Sequence, residues 1–213
     1  MTGMRNTAAA AALALVAVSL GGCFSLFPKA EPSLLYRLDA NPPAAATAPS
    51  PAKGIDVIRA RIEFNRAAAT DRILTVTGGQ AAYIAGSRWV SPAPVLFEEA
   101  LERAFANSPT APRLTQLGGA SGARAVLRLT VDNFETRYDN GPETIPSAYV
   151  RVRAELLDNR TRALLGYRVF EGRANASDNR VSAIVQAYDA ATTQALSALA
   201  DWTGATVTGA GTA

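Results

Sequence analysis

Ala125–Tyr138, AVLRLTVDNFETRY, decides the fold. Leu127, Leu129 and Val131 alternate with Arg128, Thr130 and Asp132. A period of two marks a strand with one dry and one wet face. Phe134 then falls on the wrong parity. One extra residue restores it, so the spacing predicts a β-bulge near Asp132-Asn133.

Downstream, Tyr149–Leu157 repeats the pattern. Val150, Val152, Ala154 and Leu156 lie on one face, and Tyr149, Arg151, Arg153 and Glu155 on the other. Arg162–Ala174 is a less regular third strand. Asp139-Asn140-Gly141 and Asp158-Asn159 carry the turn chemistry between these strands. Together they read as an antiparallel meander with one face for the core.

Upstream, Gly54–Phe64 reads as a strand, and Ile73–Thr77 and Ala81–Ala85 as two short strands around Gly78-Gly79. Arg113–Leu117 is a further short extended segment, and Ser33–Asp39 another. Two segments carry helical spacing instead. In Pro94–Asn107, Leu96, Phe97, Ala100, Leu101, Ala104 and Phe105 share a face opposite Glu98, Glu99 and Glu102. The glutamates are expected near the positive end of the helix dipole. From Val181 to Trp202, Ile184, Val185, Tyr188, Ala195, Leu196 and Leu199 follow the same spacing, with Asp178 as the expected N-cap. Two amphipathic helices on one face of a mainly antiparallel sheet define an α/β two-layer sandwich. Gly204–Ala213 is Gly, Ala and Thr and is expected to be a disordered tail.

Composition removes much chemistry. The chain of 213 residues has no His and one Cys. Ser-His-Asp and Cys-His catalysis and imidazole metal sites are excluded. Both lysines, Lys29 and Lys53, lie before the domain, Glu98, Glu99 and Glu102 fall on a helix surface, and Asp139, Asp158 and Asp178 fall in turns or at a cap. No catalytic residue, metal ligand or cofactor is expected, and the protein is read as no enzyme. Nor does the charge, 21 Lys and Arg against 18 Asp and Glu, suggest a nucleic-acid partner.

The single cysteine ends an apolar run. Met1–Thr7 carries Arg5 and no acid, Ala8–Leu20 is Ala, Leu and Val broken by Ser19, and Leu20-Gly21-Gly22-Cys23 follows. That run suits a signal peptide and is short for a membrane span. The four residues resemble a bacterial lipobox. The resemblance implies cleavage between Gly22 and Cys23, and a diacylglycerol and acyl lipid of the palmitate kind on the Cys23 thiol. The expected organisation is a lipoprotein signal at 1–22, a lipid anchor and tether at 23–53, an α/β domain at 54–203 and a tail at 204–213. Four prolines and five alanines make Asn41–Lys53 read as an extended spacer adding about 40 Å of reach. Phe24, rather than Asp, after the cysteine resembles lipoproteins sorted to the outer membrane, facing the periplasm.

Four segments in order resemble one family, the ABC-type transport auxiliary lipoproteins, which includes the lipoprotein of the paraquat-inducible Pqi system. They are Tyr36-Arg37-Leu38, Arg88-Trp89-Val90-Ser91-Pro92 leading into Val95–Ala106, Leu127–Tyr138 followed by Asp139, and Leu156-Leu157-Asp158 through Arg168–Gly172 to the last helix. The Pro/Ala insert at Asn41–Lys53 departs from a compact member. The resemblance implies an auxiliary or scaffold component beside a periplasmic MCE-domain protein and an ABC permease and ATPase, in a system that moves lipids across the envelope. The alternatives are a structural envelope lipoprotein and a lipid-carrying binding protein outside any ABC system.

Candidate contact residues sit on the wet face: Arg128, Tyr149, Arg151 and Arg153, with Phe170 beside them. Arg and aromatic residues are enriched at interface centres. The competing reading is a solvated face on which arginines pair with Asp132 and Glu155. Trp89 either anchors an interface or packs on the helix it introduces. The last helix has a second face of small and polar residues: Ser182, Ala183, Gln186, Ala187, Ala190, Thr193, Gln194, Ser197 and Ala198. It reads either as a homo-oligomer contact or as an ordinary surface of good helix formers.

Overall fold

Every other strand is arranged around the bulged one. The computed structural model describes residues 32–40, 51–116, 118 and 122–210. The expected signal segment, Gly22, Cys23, residues 41–50 of the Pro/Ala stretch and the last three residues lie outside these. In chain order the elements are β1 (Leu34–Tyr36), β2 (Asp56–Arg59), β3 (Glu63–Phe64), β4 (Arg72–Thr77), β5 (Gln80–Trp89), α1 (Ala93–Asn107), β6 (Arg113–Gln116), β7 (Ala125–Arg137), β8 (Ser147–Asp158), β9 (Leu164–Asn175) and α2 (Val181–Gly209).

One edge of β7 carries β8 in a long antiparallel ladder, and β9 continues it. Leu127 faces Leu156, Leu129 faces Ala154 and Val131 faces Val152. The register then shifts between Val131 and Asn133, so that Phe134 faces Val150. The bulge therefore keeps Phe134 on the dry face, as the broken alternation requires. The other edge of β7 is shared by three short parallel strands. β2 takes Ala125–Leu127, β3 takes Thr130 and Val131, and β4 takes Thr136 and Arg137. β4 pairs antiparallel with β5, β5 parallel with β1, and β2 parallel with β6. The long ladders are antiparallel and the parallel ones short. The sheet is open, with β1, β6 and β9 at its edges.

Both helices cover one face. Leu127, Leu129, Val131 and Phe134 share a core with Val150, Val152, Leu156 and Phe170, with Leu96, Phe97, Leu101 and Phe105 of α1, and with Ile184, Tyr188, Leu196 and Leu199 of α2. Aromatic rings fill its centre. Trp89 meets Tyr188 edge-on at 5.1 Å, and Phe134 lies 4.8 Å from Tyr188 and 5.8 Å from Phe64. Each such side chain contributes about 1.5–3 kcal/mol by leaving water. The α/β sandwich with two helices on a mainly antiparallel sheet is the observed architecture.

Several details differ from expectation. The single strand read over Gly54–Phe64 is two, β2 and β3, separated by Ala60–Ile62. Val57 and Ile58 of β2 are both buried, because Val57 faces the main core while Ile58 packs with Ala123 and Val126 on the opposite face. No glutamate lies in the first turn of α1, which starts at Ala93. That turn is held instead by the Ala93 amide donating to the Thr70 carbonyl at 2.9 Å. Asp178 is not the N-cap of α2; Arg180 is, and the Asp178 carboxylate accepts the Arg180 amide at 2.8 Å.

The expected tail also changes. α2 runs on to Gly209, and Thr203, Gly204 and Val207 are buried. At Gly204 a Cβ would overlap the Thr110 carbonyl. Glycine therefore lets the helix approach the segment after α1. The Asp201 carboxylate accepts the Ser108 and Thr110 hydroxyls and completes that contact. The hydroxyls of Thr203, Thr206 and Thr208 donate to the carbonyls four residues back.

The expected tether changes most. Ser33–Ala213 is one compact unit, so Leu34–Ala40 belongs to the domain. β1 pairs with Ser87–Trp89, and Leu38 and Ala40 are buried. The amides of Asp39 and Ala40 donate to the Asp189 carboxylate at 2.7 and 3.2 Å, and the Arg103 guanidinium to the Leu38 carbonyl at 3.1 Å. Ala52, near the end of the Pro/Ala stretch, is also buried. The stretch therefore joins two docked segments and adds no reach between an anchor and the domain.

Candidate functional site

The wet face of β7, β8 and β9 is built in rows across the sheet. One row holds Arg128, Glu155 and Tyr167, the next Thr130, Arg153 and Val169. After the bulge come Asn133, Arg151 and Glu171, then Glu135, Tyr149 and Arg173. The register thus puts four of the five predicted contact residues on one face, in successive rows: Arg128, Arg153, Arg151 and Tyr149, with Arg128 beside Arg153 and three rows from Tyr149. Phe170 is the exception. It lies one residue out of phase, on the helix side, only 3% exposed, with its ring 5.5 Å from that of Trp202. The irregular pattern of β9 concealed this. Gly166 and Gly172 alternate with Phe170 on the helix side, and glycine carries no hydropathy signal.

The charges on this face largely satisfy one another. The bulge aims Asp132 between two arginines. Arg153 donates twice to its carboxylate, at 2.7 and 2.8 Å, and Arg151 lies 3.9 Å away. Arg151 also faces Glu171 at 3.5 Å. Tyr149 sits under the Arg137 guanidinium, 4.3 Å from the ring centre, with Arg173 at 5.9 Å. Desolvation, with a further contribution from Glu171, pushes the Tyr149 hydroxyl above its ordinary value. Arg173 in turn pairs with Asp139, and Arg137 with Glu135 at 2.8 Å. The solvated, internally paired reading therefore describes Arg151 and Arg153. Among the described residues Arg128 makes no ion pair.

Two clefts adjoin at the break between β2 and β3. One, of about 440 Å³, is lined by Arg61, Glu63, Arg128, Arg153, Glu155 and Tyr167 among others. The second, of about 720 Å³, shares Arg61 and Glu63 and adds Arg59, Arg66 and Glu98. Arg59, its side chain 8% exposed, pairs with Glu98 and lies 3.7 Å from Glu102. Part of the acidic face of α1 thus closes onto the sheet. Arg61 and Arg66 are exposed beside the cleft. The parallel attachment of β2 and β3 to β7, invisible in local periodicity, creates this site.

Trp89 is 2% exposed and is a core residue. Asp189 is half-buried under residues 39 and 40. Desolvation pushes its carboxyl above the ordinary range, while the Asp39 and Ala40 amides pull the other way. On the second face of α2, Ser182, Gln186, Ala190, Gln194 and Ala198 are exposed, whereas Ala183 and Ala187, read onto the same face, are buried in the core. Gln194 accepts the Arg173 amide at 3.1 Å. Among the described residues no group of three or more Asp or Glu is placed to hold a metal ion. No helix there is long and apolar enough to cross a membrane.

This open sandwich, with two helices on one face and a charged sheet on the other, matches a known family. Residues 36–200 fit the model of the ABC-type transport auxiliary lipoprotein component. The chain belongs to that family. Among solved structures it is similar to protein XCC0632 from Xanthomonas campestris, at 22% identity over 84% of this chain and 99% of that one, with a TM-score of 0.71. It is also similar to an uncharacterized protein at 15% identity over 80% and 97% of the two chains, with a TM-score of 0.59. A weaker likeness is to the PelC dodecamer from Paraburkholderia phytofirmans, at 17% identity over 71% and 93%, with a TM-score of 0.38. The first two likenesses concern the fold alone. No curated protein matches.

Proposed function

We propose that this auxiliary lipoprotein is a non-catalytic scaffold, anchored by acyl chains on Cys23 and facing the periplasm from the outer membrane. Its partners are a periplasmic MCE-domain protein and the permease and ATPase of an ABC system that moves lipids across the envelope. The observation that carries this reading is the family match over residues 36–200, which spans α1, all the long strands and the larger part of α2. A filled aromatic centre favours a scaffold over a lipid carrier. Trp89, Phe134, Tyr188, Phe97 and Phe64 occupy the space between sheet and helices where an acyl chain would lie. Two acyl chains would hold the protein stably, since one alone binds only marginally.

The test is purification of the lipidated protein from envelopes in mild detergent. An MCE-domain protein and a permease are expected to co-purify, and mass spectrometry of the first mature peptide to show acylated Cys23. Phospholipid retained by the delipidated domain at equimolar ratio, with no protein partner, would overturn the scaffold in favour of a carrier. A fully functional, unacylated Cys23→Ser protein would overturn the anchor.

A further inference from the structure

Among the described residues, the first strand of the domain carries the two most exposed large apolar side chains. Leu34 and Leu35 of β1 are 64% and 63% exposed. Adjacent strand residues point to opposite faces, so both faces of the sheet are uncovered at this edge. Among the described residues β1 pairs only with β5, which leaves its outer backbone edge without a strand. Val90, whose amide donates to the Tyr36 carbonyl at 2.8 Å, is also exposed. Arg37 adds an exposed cation, and the Leu38–Ala40 docking holds the edge rigidly on the domain.

Position says what meets this edge. Only Phe24–Ser33, ten residues, separates Cys23 from Leu34. Fully extended, that length reaches at most about 40 Å. It includes Phe24, Leu26, Phe27 and Lys29, and the Pro/Ala stretch cannot lengthen it because that stretch lies beyond the docked β1. We infer that the β1 edge is a membrane contact: the sheet stands edge-on to the bilayer that holds the acyl chains, with Leu34 and Leu35 dipping into its interface. This rests on the proposed acylation of Cys23. The contact is interfacial, because the open backbone edge needs the water and headgroups that the hydrocarbon region lacks. Arg37 would meet lipid phosphates there.

The acylated protein leaves a cysteine introduced elsewhere as its only free thiol. Leu34→Cys, Leu35→Cys and Leu164→Cys, labelled with an environment-sensitive dye, are reconstituted in vesicles of phosphatidylethanolamine and phosphatidylglycerol. Leu164 is comparably exposed, but on β9 at the other edge of the sheet. The two β1 probes are expected to shift blue and to be quenched by bromolipid at least threefold more than the probe at 164. Equal quenching at all three sites, or none, overturns the contact, including when a partner strand covers β1 instead. Should mass spectrometry find Cys23 unacylated, the anchor reading fails and the contact is judged by sedimentation with the same vesicles. The Cys23→Ser mature chain is then expected to lose at least threefold of its binding on Leu34→Ser plus Leu35→Ser; unchanged binding overturns the inference.

Discussion

At the scale of single residues, burial and hydrogen bonding decide what each side chain costs to remove. Trp89 packs against Tyr188 and Phe134 in the centre of the core. Trp89→Ala is expected to cost about 3–5 kcal/mol, read as a fall in the urea midpoint. The exposed carboxylates set a pH dependence. Asp56 is held below 3.8 by the Arg113 guanidinium at 2.5 Å, Asp178 by Arg180, and Asp158 by the amide and hydroxyl of Thr161. A carboxyl whose folded value is depressed stabilises the fold fully above its unfolded value and loses that contribution as pH falls through the folded one. The urea midpoint is thus expected to hold down to about pH 5 and to drop below about pH 4. Asp158→Asn should flatten part of the drop; an unchanged profile in that variant would remove Asp158 from the account. Asp189 acts with the opposite sign. Burial raises its carboxyl, so it costs stability at neutral pH and that cost eases as pH falls through its raised folded value.

At the scale of elements, the close approaches of α2 are the sensitive points. A Cβ at Gly172 would overlap the backbone carbonyl of Ala191, whereas one at Gly166 would come 2.9 Å from the Trp202 ring. A backbone yields less than a side chain. Gly172→Ala is expected to cost about 1–3 kcal/mol or more, and Gly166→Ala clearly less, by thermal unfolding. The last turns of α2 offer a second test. Truncation after Trp202 removes Val207 and the Gly204–Thr110 contact. It is expected to lower the unfolding midpoint, where a disordered tail would leave it unchanged. Helical spacing across Val181–Trp202 was legible in the sequence. The extension was not, because Gly, Ala and Thr carry little periodic signal and the contact that orders them comes from Thr110, far away in the chain.

At the scale of the molecule, the docked β1 sets how the domain is held. A ten-residue Gly/Ser insertion within 41–50 lengthens a connection between two docked segments. It is expected to cost under about 1 kcal/mol. It should not change the height of the domain above a vesicle, measured by energy transfer from lipid dyes. The same insertion between Cys23 and Ser33 should raise that height and weaken quenching at Leu34 and Leu35. Equal effects from the two insertions would mean that β1 undocks.

The sequence by itself determined whatever local periodicity encodes. The faces of β7 and β8, the bulge at Asp132, both amphipathic helices and the placing of Arg128, Tyr149, Arg151 and Arg153 on the wet face all follow from spacings of two or of three and four residues. The missing histidine and the single cysteine likewise needed no structure. The tertiary structure alone decided which edges meet. The parallel attachment of β2, β3 and β4 to β7, the burial of Phe170 behind Gly166 and Gly172, and the return of Leu34–Ala40 onto Asp189 and Arg103 are contacts between residues far apart in the chain. Such pairings are chosen by the competition for shared core and backbone partners, and no local pattern records them.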